Sequence, residues 1–132
     1  MPASKYDFTI EQGSSYQIVF IYKDANKNPV DLTNWCARVI WKTNTGTTQE
    51  FSSENTDLSQ YTFRLNDNPG EIKLLIPSTT TTNFNFSTAN YDLDLQSPED
   101  FSAGGDKYVT RILYGTITII QRASSTSTEN IC

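Results

Sequence analysis

Alternation of large apolar side chains with polar ones, near both ends of the chain, is what most limits the folds open to it. Tyr16, Ile18, Phe20 and Tyr22 recur at every second position, and Arg111-Ile112-Leu113-Tyr114-Gly115-Thr116-Ile117-Thr118-Ile119-Ile120 repeats the habit near the other end. A period of two puts one set of side chains on each face of an extended strand. The segments Tyr6–Trp35 and Tyr108–Gln121 therefore predict an all-β module whose two ends close on each other. Composition agrees: Phe, Tyr, Trp, Ile, Val and Thr dominate, while Ala, Leu, Met and Glu are too sparse for long helices. At 132 residues the chain is the size of one domain with a real core.

Strands are predicted over Tyr6–Ile10, Tyr16–Lys23, Cys36–Thr43, Thr48–Ser52, Tyr61–Leu65, Glu71–Ile76, Tyr91–Gln96 and Tyr108–Arg122. Both faces of the second are partly apolar, which predicts a central strand or one covered on both sides. Inward positions are Ala37, Val39 and Trp41, then Ile72, Leu74 and Ile76, then Tyr91, Leu93 and Leu95. Asn44-Thr45-Gly46-Thr47 reads as a hairpin loop and Asn66-Asp67-Asn68-Pro69-Gly70 as the strongest turn. Pro77 ends a strand, Ser78–Thr82 is a Thr run, and Asn83–Thr88 reads as an irregular or short helical link. Ser97–Lys107 reads as an exposed hairpin loop. The pattern predicts a single antiparallel β-sandwich, immunoglobulin-like, with about seven to eight short strands. Residues 1–5 form an N-terminal arm, 6–122 the β-sandwich domain, and 123–132 a polar C-terminal tail.

Charge and residue choice narrow the function classes. The net charge is −5 and Lys and Arg occur mostly alone, so no cationic face for nucleic acid is expected. No apolar run approaches membrane-spanning length, and the N-terminus lacks a signal pattern, which points to synthesis in a cytoplasm without a cleaved signal. Cys36 and Cys132 are expected to remain unbridged thiols. Histidine is absent, which rules out Ser/His/Asp and Cys/His catalysis within the chain. Asp92 and Asp94 share one strand face about 7 Å apart, a spacing within the range of carboxylate-pair hydrolysis, but a solvated sheet face with alternating Asp explains it without any cleft. Asp24, Asn26, Asn28 and Asp31 offer oxygen at alternating positions, as a calcium loop does, but the sixth-position Gly and distal Glu of such a loop are missing and the series reads as a plain turn. Gly104-Gly105 lacks the Gly-Lys-Ser/Thr of a phosphate loop. Trp35, Trp41, Tyr61 and Tyr114 are either core and interface anchors or a sugar-binding platform. No catalytic, cofactor-binding or metal residues are expected; the candidate interface positions are Val19, Ile21, Tyr114 and Ile120.

The order of Asp7–Gly13, of Asn26 with Pro29–Thr33, of Tyr91–Leu95 and of Arg111–Ile119 resembles small β-sandwich proteins and N-terminal domains of tailed bacteriophages. Those occur in tails, baseplates and fibre adaptors. The likeness spans roughly Tyr6 to Gln121, its motifs individually degenerate and informative through their order. Asn34 stands where the family pattern has Gly, a mild departure because Asn tolerates left-handed backbone. The resemblance implies a non-enzymatic virion structural component in many copies, without cofactor, nucleic acid or membrane, whose partners are other virion proteins. It implies a module without the fibre or receptor domain that longer members append. A capsid decoration or neck protein differs only in where it docks, and a carbohydrate-binding module for host attachment is the alternative of another class.

Overall fold

The structure, a computed structural model, describes residues 3–100 and 107–121, and at 99, 100 and 107 the backbone alone. The strands are β1 (Ser4–Lys5), β2 (Phe8–Glu11), β3 (Tyr16–Ile21), β4 (Cys36–Thr43), β5 (Thr48–Ser52), β6 (Thr62–Leu65), β7 (Glu71–Ile76), β8 (Thr88–Asp100) and β9 (Lys107–Ile120), with one helical turn α1 (Ser78–Thr81). They form an all-β sandwich. One sheet runs β1-β9-β8-β4-β5, with β2 also on β9; the other runs β3-β7-β6.

The alternation in β4 and β8 is realised residue for residue. Ala37, Val39 and Trp41 point into the core opposite Leu95, Leu93 and Tyr91 of β8, all six buried. From the facing sheet come Ile72, Leu74 and Ile76 of β7. Trp41 is wholly buried, with Phe51, Phe84 and Phe86 rings 4.5, 5.6 and 6.1 Å away, and its indole N–H donates to Gln49 Oε1 at 2.7 Å. That bond lets a large ring be buried without stranding its one donor.

The two ends do close on each other, and they do so in parallel. Phe8–Glu11 pairs with Ile117–Ile120, and Ser4–Lys5 with Leu113–Tyr114. The strand expected over Tyr6–Ile10 is instead split at Tyr6-Asp7, and pairing reaches back to Ser4 within the segment read as an arm. At the split, Tyr6 N–H donates to the Tyr114 carbonyl at 2.8 Å, while the Asp7 carboxylate accepts the Thr116 N–H at 2.8 Å. The Tyr91 hydroxyl donates to the Tyr6 carbonyl. Gly115 makes this crossing possible: a Cβ there would lie 2.2 Å from the Tyr6 carbonyl oxygen.

Four further expectations need correction. β3 is an edge strand, not a central one; among the described residues its sheet has three strands and no strand pairs beyond it, and Val19 and Ile21 are each 43% exposed. The helical turn falls at Ser78–Thr81, just after Pro77, earlier than the Asn83–Thr88 link. Proline is well placed there because it needs no partner for an amide hydrogen at a helix start. Strand β8 continues through Ser97 to Asp100, and Asp100 pairs with Lys107, so both ends of the expected Ser97–Lys107 loop are strand, and 101–106 lie outside the described residues. Tyr61 lies just outside β6. Gly104-Gly105, Arg122, Cys132 and the 123–132 tail lie outside the described residues.

Candidate interaction surfaces

The polar turn between β3 and β4 uses its oxygen atoms on its own backbone. Asp24 Oδ1 accepts the Asn26 and Asn28 amides at 2.9 and 3.0 Å, an Asx-type turn. Asp31 Oδ1 accepts the Thr33 amide, the Thr33 hydroxyl and Asn66 Nδ2 at 3.0, 2.6 and 2.9 Å. These bonds, led by the Thr33 hydroxyl, hold the Asp31 carboxyl below its usual acidity range. Asn66 Oδ1 also takes the Leu32 and Gly70 amides at 3.0 and 3.2 Å, tying this segment to the β6–β7 turn. Of the four residues read as a calcium-like series, the Asp24 and Asp31 carboxylates are thus engaged in turn geometry and Asn26 and Asn28 donate their backbone amides to Asp24, and among the described residues no three acidic, Cys or His side chains group as metal ligands do.

Asp92 and Asp94 share the outer face of β8 and each meets an arginine from a neighbouring strand. Arg111 reaches Asp92 at 3.0 Å and Arg38 reaches Asp94 at 3.4 Å. The Arg111 guanidinium also lies over the Tyr114 ring, 5.0 Å from its centre. This is a cross-strand charge ladder on an open sheet face, each exposed pair worth at most about 1 kcal/mol. The Cys36 thiol donates to Glu54 Oε1 at 3.1 Å at the margin of the same face.

Trp35, Trp41, Tyr61 and Tyr114 do not form a row. Trp41 is in the core, Trp35 is half-buried with the Tyr22 ring 6.4 Å away, and Tyr114 is on the outer face of β9. Tyr61 packs on Phe51 at 4.8 Å, and its hydroxyl accepts the Ser52 amide at 2.9 Å. The platform built from these four residues is therefore not assembled.

The four candidate interface residues are all solvent-accessible, on two different sheets. Val19 and Ile21 sit together on the outer face of β3. Tyr114 and Ile120 lie on the outer face of β9, about 20 Å apart along the strand. Tyr6 and Val109 join the exposed apolar set. Tyr6 sits beside the other face of β3, its ring edge-on at 5.5 Å to Phe20, which points away from Val19 and Ile21. Its exposure follows from the split between β1 and β2, which alternation does not reveal. An open groove of about 200 Å³ adjoins the same edge, lined chiefly by Phe20, Ile21, Tyr22, Ile112 and Leu113.

Sequence reading also missed Glu71, which is buried at the start of β7. Asn68 donates to its Oε2 at 3.0 Å, and Lys73 Nζ lies 3.8 Å from its Oε1. No family model matches the chain, and no curated protein sequence matches it significantly.

Proposed function

We propose that the chain is a non-enzymatic structural component of a tailed-phage virion, an immunoglobulin-like module joining tail, baseplate or fibre proteins through packing of many copies. The observation that carries this reading is where most of the exposed large apolar side chains sit: along sheet edges and outer faces, at Tyr6, Val19, Ile21, Val109 and Ile120, with Leu58 of the β5–β6 loop the exception. Aromatic and branched residues on such surfaces suit contact with other proteins. The polar side chains that first suggested chemistry are occupied in turns and ion pairs, which favours a scaffold over a catalyst.

Strand order supports the immunoglobulin-like part of the reading. β9-β8-β4-β5 follows the order G-F-C-C′ of variable-type domains, and β3-β7-β6 matches B-E-D. In an assembly of many copies, each small apolar contact becomes effectively intramolecular once its neighbours are in place. The test is quantitative mass spectrometry of phage particles purified from a lysate of the host. The reading expects the chain in those particles at a stoichiometry set by particle symmetry; a chain found only as a free monomer in the lysate overturns it.

A further inference from the structure

We propose that the edge of β3, unpaired among the described residues, is a self-docking site, at which a second copy of this chain pairs antiparallel about a two-fold axis through Val19. This deepens the assembly reading and rests on it, by naming one surface and its occupant. Edge strands are normally blunted by charge, shortness or proline, because a bare row of amides and carbonyls templates pairing. The other sheet edges here are protected in that way. β6 and β2 have four residues each and carry Arg64 and Glu11, β1 has two and carries Lys5, and β5 carries Glu50 at its centre.

β3, Tyr-Gln-Ile-Val-Phe-Ile, has six residues, no charge and no proline, and its outer face is Gln17, Val19 and Ile21. Two-fold pairing must keep each face continuous, so residues opposite each other share parity. Centring the axis on Val19 sets Val19 against Val19 of the second copy, Gln17 against Ile21, and Ile18 against Phe20. No like charges meet. The equivalent pairing of β5 would set Glu50 against Glu50, which repels. Pairing through β3 would join two three-stranded sheets into one of six, and would bring together the Val19 and Ile21 side chains of both copies. The edge contact alone falls at the small end of specific interfaces, below about 1,200 Å², so the dimer is weak in isolation and relies on multiplicity.

The test is oxidative crosslinking of full-length Val19→Cys in a Cys36→Ser, Cys132→Ser background. Cβ atoms of residues directly opposite lie about 4.5–5.5 Å apart, near enough for a disulfide after slight adjustment. Thr118→Cys, exposed on the outer face of β9, is the comparison. Val19→Cys should form a covalent dimer at least about tenfold faster than Thr118→Cys. The native chain should form a concentration-dependent dimer by sedimentation at high concentration, and Val19→Lys should abolish it while leaving the circular dichroism spectrum unchanged. Equal crosslinking rates, or a dimer that persists in Val19→Lys, overturn the proposal. Either result leaves the assembly reading standing if the chain still copurifies with particles.

Discussion

Substituting Gly115 by Ala tests how the sandwich is closed. The added Cβ would sit 2.2 Å from the Tyr6 carbonyl oxygen, 2.8 Å from the Tyr6 carbonyl carbon and 2.7 Å from Asp7 Oδ1, where ordinary contact needs 3.4–4 Å. The obstacle is chiefly backbone, so the N-terminal strand has to retreat by more than an ångström. That retreat breaks or stretches three bonds at once: Tyr6 N–H to the Tyr114 carbonyl, Thr116 N–H to Asp7, and the Tyr91 hydroxyl to the Tyr6 carbonyl. Overpacking commonly costs about 1–3 kcal/mol, and because it here acts by stretching three bonds worth about 1 kcal/mol net each, the expected loss lies toward the top of that range, about 2–3 kcal/mol. For a domain of this size that is a fall in Tm on the order of 10 °C. Urea denaturation followed by tryptophan fluorescence measures the loss, and amide exchange over residues 4–11 shows whether the strand has loosened. Gly46→Ala is the informative comparison. Gly46 has φ +92° and nothing within 4 Å, so alanine there meets backbone strain alone, about 1–2 kcal/mol. Gly115→Ala within about 0.5 kcal/mol of wild type, with exchange over residues 4–11 unchanged, refutes the argument.

Burial raises the Tyr16 hydroxyl to about 12, with Tyr6 adding to the shift, and burial raises Tyr91 as well. Folding therefore favours their protonated forms: this contribution is complete below pH 10.0 and is lost as pH rises through the folded values. Tyr91→Phe should cost about 1 kcal/mol at neutral pH and lessen the alkaline loss, both read from denaturation curves across pH. Asn34 has φ 65°, so Asn34→Gly should be neutral or stabilising by up to about 1 kcal/mol and Asn34→Ala destabilising by a similar amount; equal thermal midpoints would contradict this. Asn66→Ala removes the acceptor of two backbone amides at a position with φ 67° and should cost about 2–3 kcal/mol by urea denaturation. It should also weaken the acid response of Asp31, whose lowered pKa adds stability above pH 3.8 that is lost as pH falls through the folded value.

Much of the core was legible because β4, β7 and β8 bury one face and wet the other, which writes their orientation into alternate residues. Alternation carries no record of what lies beside a strand. β3 is apolar on both faces, yet it sits at an edge with Val19 and Ile21 exposed, because neighbours are chosen by long-range pairing. The split at Tyr6-Asp7 was hidden for a similar reason. It depends on Gly115 more than a hundred residues away, and Asp7 lends its carboxylate to a ladder bond that a backbone carbonyl would otherwise make. Among the candidate residues, the Asp24–Asp31 series and the Asp92–Asp94 pair were visible as oxygen atoms. Only their geometry shows that turn amides engage the Asp24 and Asp31 carboxylates and that two arginines pair with Asp92 and Asp94. Trp41 could equally have been platform or core, and full burial makes it core.

The central claim is that this sandwich is a part that assembles. Cryo-electron microscopy of the intact particle tests it most directly, with density resolved well enough to trace side chains. The account predicts the β9-β8-β4-β5 and β3-β7-β6 sheets in symmetric multiple copies at the tail, baseplate or fibre junction, with neighbouring proteins covering exposed apolar edges. A particle map fully accounted for without this chain would contradict it.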